Sequence, residues 1–307
     1  MNQAIGIAGT GRMARALGKV LADHGVSVAA VGGRNPEHTQ EAAVFIGCDA
    51  VSLGELPGRV SRILIAVSDD AIPAAAEQLL QGGMGNGLVL HTCGAHGPEI
   101  LTLLRNKGNA VGVMHPLVGV PRAERGVLAM PGATFACAGD GAALEWALTL
   151  VTTLRGRTLH VDPARWHLYH AAAAIAGNYQ CTLADAALEL LEQAGVERAQ
   201  ALPALASFLR ATTESILAIG PVEALPGPIS RGDVGTIRRH VAALTAAGVR
   251  ETNALYAAAG LRTIEIGVRK GTLSQSAAEE IRTFLDQFLR TTYSSDGLSE
   301  EVSNILA

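Results

Sequence analysis

A 307-residue chain with 24 lysines and arginines against 28 acids has a formal net charge of −4, and it carries no basic footprint for nucleic acid or for an anionic membrane. Apolar residues make up 49% of it and aromatics only 4%, so alanine and glycine must line the packed layers, which suits helices on a sheet better than a β-sandwich. Cys48, Cys93, Cys137 and Cys181 are too widely spaced for a zinc site or redox dithiol, so no metal is expected. The first strand leaves no room for a signal peptide, and a cytoplasmic protein is expected.

The chain opens on "IGIAGTGRMARALGKVLADHG" (5 to 25), a short apolar strand that enters a glycine-spaced turn and then an amphipathic helix. Gly9, Gly11 and Ala14 form G-x-G-x-x-A in the strand-to-helix context that gives this motif its meaning. Gly9 permits the turn, Gly11 admits a pyrophosphate to the backbone of Thr10, Arg12 and Met13, and Ala14 lets the helix lie close on the sheet. The second strand ends "VGGRNPEHT", with no acid to accept from ribose hydroxyls but with Arg34 and Asn35 at its tip. A guanidinium suits a 2′-phosphate, so NADP(H) is the expected cofactor.

Further strands follow at "RILIAVS", "GLVLHT", "AVGVMH", "ATFACAG" and "RTLHV", with helices expected at 36 to 46, 70 to 82, 97 to 107 and 141 to 154. This alternation predicts a parallel, doubly wound Rossmann-like sheet over 1–162, within an α/β fold class. Ligands bind beyond the carboxyl ends of such strands, which nominates Val67, Ser68, Asp69 and Thr92 for the cofactor and His115 for proton chemistry. Asp70 is read as a helix cap.

From 163 to 307 the pattern becomes helical throughout, with runs at 163 to 194, 198 to 218, 232 to 247, 250 to 268 and 274 to 290, so an all-helical second domain is expected. The charge-free stretch 168 to 184 falls short of a bilayer span and reads as a buried helix; no membrane partner is expected. His170 and Asn178 share one broad face there. On the proline-constrained loop "LPGPISRGD", Arg231 could fork onto a carboxylate and Asp233 could cap the next helix or serve the site.

Together "GTGRMA", "AVSDDAI", "HTCGA", "MHPL", "YHAAAAIAGNY" and "GPISRGD", followed by Thr236 and His240, resemble a bacterial family of oxidoreductases with a Rossmann-like domain and a helical domain of unknown function. The helical half is also similar to β-hydroxyacid dehydrogenases, ketopantoate reductases and pyrroline-5-carboxylate reductases. The first two groups often carry a catalytic lysine four residues before an asparagine; here Asn178 matches the asparagine, but Ala174 stands at the lysine position. "MHPLVG" resembles a segment of prephenate dehydrogenases whose histidine meets the substrate hydroxyl, which points to His115.

The resemblance implies an NADPH-dependent reductase of a small carboxylate-bearing carbonyl or imine, with ketopantoate-like 2-oxo acids foremost. His115 or His170 would supply the proton, Asn178 would orient the oxygen and Arg231 would hold the carboxylate. Two alternatives stay open: an NADP(H)-binding sensor or scaffold without catalysis, and a prephenate-type NADP-dependent dehydrogenase. A homodimer formed by helix packing is expected, as in relatives of this architecture.

Overall fold

The computed structural model describes residues 3–294 in two compact units, the first ending at Tyr179 and the second beginning at Gln180. The first unit is built on eight strands: β1 (Ile5–Ala8), β2 (Val28–Gly33), β3 (Asp49–Ser52), β4 (Arg62–Ile65), β5 (Leu88–His91), β6 (Ala110–Pro116), β7 (Thr134–Gly139) and β8 (Arg157–His160). Their spatial order is β3-β2-β1-β4-β5-β6-β7-β8. The order reverses direction at β1/β4, the switch point at which such sheets open a crevice for ligands.

Helices cover both faces. On one lie α1 (Arg12–Asp23), α2 (Pro36–Ile46) and, further along the sheet, α6 (Gly141–Thr153); on the other α3 (Ile72–Gln81) and the short α4 (Thr102–Arg105), while α5 (Ala123–Ala129) packs beside α1. The helix α1 forms because Ala14, Leu17, Gly18 and Leu21 recur at i, i+3, i+4 and i+7, which lays one apolar stripe on the strands. Leu17 and Leu21 meet Ile46 and Trp146 in that layer. Leu53, Leu56, Ile72, Leu79 and Leu104 fill the opposite one.

The expected parallel sheet is parallel only as far as β6, since β7 pairs antiparallel with it through Pro116↔Phe135 and Gly112↔Gly139. The chain leaves β6, passes through α5 and re-enters at the end it left, so β7 must run back, and β8 follows it in parallel. Two elements lie outside the sequence expectation: β3, a short, mostly exposed edge strand, and α5. The helix expected over 97 to 107 is a 3-10 turn at Pro98–Leu101 followed by α4. Asp70 does not cap; it sits inside a 3-10 turn, and α3 starts without any side-chain cap.

The first unit continues past the last strand into α7 (Trp166–Ala176), because Trp166 is buried against Val113, Ala136 and Ala138. Gly177 separates α7 from α8 (Asn178–Gln193), so the run expected over 163 to 194 is two helices. The stretch 168 to 184 is not buried: Leu168, Ile175, Tyr179 and Leu183 are all exposed, because α7 turns only its Trp166, Tyr169 and His170 side inward.

The second unit contains α9 (Arg198–Glu223), α10 (Val234–Ala247), α11 (Arg250–Lys270) and α12 (Gln275–Ser294). Ile237, Val241, Ala257, Ile264, Ile281 and Leu285 form its core between α10, α11 and α12. Gly248 and Gly271 end their helices in the left-handed conformation, as their positions after periodic runs predict. Gly220 instead kinks α9 just before Pro221.

Candidate active site

At the carboxyl ends of β1, β2 and β4 the first unit opens a crevice of about 530 Å³, lined among others by Gly9, Thr10, Gly11, Arg12, Met13, Arg34, Val67, Ser68 and Val120. The two motif glycines do different work. Gly9 has φ +129°, and a Cβ there would lie 2.3 Å from the carbonyl oxygen of Ala66, so only glycine lets the turn close against the end of β4. Gly11 has ordinary extended backbone and nothing within 4 Å of its would-be Cβ, which would stand in open crevice.

Gly11 is also the N-cap of α1, with no side-chain cap and no acid in the first turn, so the first amides of the helix keep their donors for an incoming anion. This cradle fits a pyrophosphate, and the residues that would hold it are Gly9 to Met13. Arg12 also reaches across to the carbonyl of Pro121 at 3.1 Å, tying the turn to the loop after β6. Arg34 is exposed at the tip of β2 and lines the same crevice, with no carboxylate in that place. Asn35 does different work: its side chain caps α2 by accepting from the His38 amide at 3.0 Å.

Of the residues nominated on later strands, Val67 and Ser68 line the crevice. Thr92 is buried and donates its amide to Ile65 at 3.1 Å, while the charge of Asp69 acts on Cys93 and His115. His115 is half-buried on β6; its Nδ1 lies 2.6 Å from the Tyr169 hydroxyl and its ring centroid 6.4 Å from that of His170. Burial, and then the neighbouring His170, push its pKa down to about 4, against a weaker upward pull from Asp69. His115 is therefore neutral near pH 7.

Gly94 separates the two imidazoles: a Cβ there would lie 2.7 Å from His115 Nε2 and 2.9 Å from His170 Cδ2. The Trp166 indole donates to the Gly94 carbonyl at 2.9 Å and fixes that spacer. His91 holds the same loop from beneath, accepting from the Cys93 amide at 3.2 Å and donating through Nε2 to Gly97 at 3.0 Å. Gly94 and Tyr169 lie within the quoted "HTCGA" and "YHAAAAIAGNY" segments without a role assigned to them there, and Trp166 lies outside every quoted segment. What the sequence does show is that "HTCGAH", "MHP" and "WHLYH" each carry histidine.

Asn178 is exposed at the start of α8. In the second unit, Arg231 is exposed on its loop, whereas the Asp233 carboxylate caps α10, accepting from the Thr236 amide at 3.0 Å and hydroxyl at 2.6 Å. Those bonds hold its pKa below the usual carboxylate range. Among the described residues no group of histidines, cysteines and acids is placed to hold a metal ion.

Residues 4–92 match the family described as NADP oxidoreductase, coenzyme F420-dependent, and residues 133–263 match a domain of unknown function, DUF2520. The two matches fall one after the other along the chain, the first within the nucleotide-crevice unit and the second from β7 into α11. NADP is thus the nucleotide that the family description names, and the crevice described above fits it.

Among solved structures, a candidate NADP oxidoreductase of Bacteroides fragilis superposes with a TM-score of 0.71 at 21% identity, covering 86% of this chain and 98% of that one. A Thermotoga maritima protein gives 0.71 at 18% identity over 86% and 99%. A Plasmodium falciparum pyrroline carboxylate reductase with NADP bound gives 0.55 at 14% identity over 94% and 98%. At these identities the likeness is one of fold. No curated protein matches the chain.

The buried histidines set a pH dependence. His91 and His115 are both pushed down to about 4, mainly by burial, whereas an unfolded histidine titrates at about 6.5. Between these values the unfolded chain takes up protons that the folded one refuses, so stability falls as pH drops from about 6.5 towards 4 and is unaffected by these groups above that window. Urea unfolding is expected to give a lower midpoint at pH 5 than at pH 7.5, with the difference reduced in His91→Asn. Equal midpoints at the two pH values would contradict the assignment.

Proposed function

We propose that the protein is an NADPH-dependent reductase of a small, carboxylate-bearing carbonyl or imine compound, with 2-oxo acids as the first class to test. The observation that carries this reading is the neutral, half-buried His115 placed with His170 on either side of Gly94, in the same unit as the nucleotide crevice. When bound, the nicotinamide supplies a hydride to the substrate carbon, whose oxygen or nitrogen must then gain a proton.

His115 is suited to hydrogen-bond the reacting atom, since burial keeps it uncharged. His170, 6.4 Å away ring to ring, is the neighbouring group that can relay a proton from solvent. Arg34 supports NADPH over NADH, because its exposed guanidinium stands where an NAD site would place an acid. The four cysteines are all free thiols, which fits a reducing cytoplasm.

Loss of nicotinamide absorbance with a panel of 2-oxo acids and cyclic imines tests the activity. At least one 2-oxo acid is expected to turn over, and His115→Ala is expected to lower kcat by about 100-fold, the range of a lost acid–base or hydrogen-bonding group. Tight NADPH binding with no turnover across the panel would favour a non-catalytic sensor.

We further propose a homodimer. The helix α9 exposes Leu202, Phe208, Ile216, Leu217 and Ile219, and its most apolar 18-residue window, of mean hydropathy 1.2, has no buried residue. Burying such side chains is worth about 1.5–3 kcal/mol each, so covering this face is favoured. Arg210 and Glu214 sit near its middle, where a bilayer would exact about 2.5–3.5 kcal/mol for a charge, which favours a second copy of the chain. Light scattering is expected to give twice the chain mass, and a Phe208→Asp, Leu217→Asp double variant the single mass. A monomeric parent protein would overturn this part.

A further inference from the structure

The contact between Tyr169 and His115 has two possible hydrogen placements, and they give opposite chemistry at the far side of the imidazole. If the phenol donates to Nδ1, the ring carries its hydrogen on Nε2; if Nδ1–H donates to the phenol oxygen, Nε2 is a bare lone pair. The heavy atoms lie 2.6 Å apart, a length that suits an O–H donor better than an imidazole N–H. In the second placement the hydroxyl proton of the half-buried tyrosine would have no acceptor among the described residues, since His115 is its one hydrogen-bond partner. A lost hydrogen bond of that kind costs about 1–3 kcal/mol.

The surroundings hold the phenol as a donor. Tyr169 packs on Trp166 with ring centroids 5.1 Å apart and meets the His115 ring edge-on at 5.8 Å. Burial raises its pKa to about 12, so the hydroxyl stays protonated at any working pH. Trp166, three residues earlier on α7, donates to Gly94 at 2.9 Å. Two bonds from one helix face thus fix the imidazole and the glycine beside it. His115 Nε2 makes no hydrogen bond to any described residue, and it lies 2.7 Å from where a Cβ on Gly94 would be, a place that glycine leaves empty.

We infer that Tyr169 is a positioning residue that fixes His115 as the Nε2–H tautomer, so that a reactant reaching the Gly94 gap meets a neutral hydrogen-bond donor. This rests on the reductase reading for its consequence but not for its geometry. A neutral N–H offered to the reactant pairs with the lone pairs of a carbonyl oxygen. It repels a protonated imine, which brings a proton of its own and needs an acceptor. Of the two substrate classes proposed above, the tyrosine therefore favours the carbonyl over an imine that arrives protonated, and it is a specificity-determining residue as well as a positioning one.

Nitrogen-15 spectra of histidine-labelled protein test the tautomer without any substrate, because chemical shifts and two-bond couplings separate a protonated ring nitrogen from a bare one. In the parent protein, the resonance lost in His115→Ala is expected to show Nε2 protonated and Nδ1 bare. In Tyr169→Phe, which keeps the ring and its packing, the two nitrogens are expected to move towards averaged values. Should that variant fold poorly, fluorotyrosine at position 169 strengthens the donor in an otherwise unchanged protein and is expected to move the Nδ1 signal further from its free value.

A parent protein with Nδ1 protonated, or a spectrum indifferent to both changes at 169, would overturn the inference even if the reductase reading stands. With an active 2-oxo acid in hand, Tyr169→Phe is expected to lower kcat by about tenfold or more with KM little changed, and to narrow the preference for carbonyls over imines. An unchanged kcat and preference would overturn the catalytic consequence while leaving the tautomer measurement to stand by itself.

Discussion

The approach of Gly9 to the carbonyl of Ala66 is the constraint on which the nucleotide site depends. With 2.3 Å between a would-be Cβ and that oxygen, no other residue lets β1 turn into α1 while lying against the end of β4. The turn's amide donates to Gly32 at 2.8 Å, and the Ala66 amide donates to Ala8 at 2.8 Å, so three strands are locked together where the sheet order reverses. The crevice, the amides at the start of α1 and the place of Arg34 at the tip of β2 all follow from that closure.

A second group of residues, further along the sheet in the same unit, is built by a different device. The helix α7 brings Trp166 and Tyr169 onto the ends of β5 and β6, and the glycine between His115 and His170 keeps the rings apart. Burial leaves His115 neutral, which turns a residue usually associated with a titrating charge into a fixed dipole. Preorganised donors of this kind act most strongly where water is excluded.

Much of this was legible in the sequence, because the signals were local. Gly9, Gly11 and Ala14 announce the turn, seven of the eight strands are expected from short runs between helical segments, and Gly248 and Gly271 close helices where periodicity stops. What escaped depends on contacts distant along the chain. The edge strand β3 is short and largely exposed, so hydrophobicity does not mark it. Strand direction is set by the path of the connection, and no local pattern reveals that β7 runs backwards. The charge-free stretch 168 to 184 shows a helix tendency but not what covers it, and several of its large side chains stand exposed. Tyr169 looked like one aromatic among alanines; its partner His115 lies 54 positions away.

The placement of the nucleotide on the first turn is tested most directly at Gly11. Because nothing within 4 Å meets a Cβ there and the backbone is extended, Gly11→Val should leave folding intact while placing a branched side chain where the pyrophosphate must lie. Calorimetry is expected to show NADPH binding the parent protein more tightly than NADH, Arg34→Ala removing that preference, and Gly11→Val binding neither despite an unchanged melting temperature. Undiminished NADPH binding by the folded Gly11→Val protein would contradict the placement of the nucleotide on the first turn.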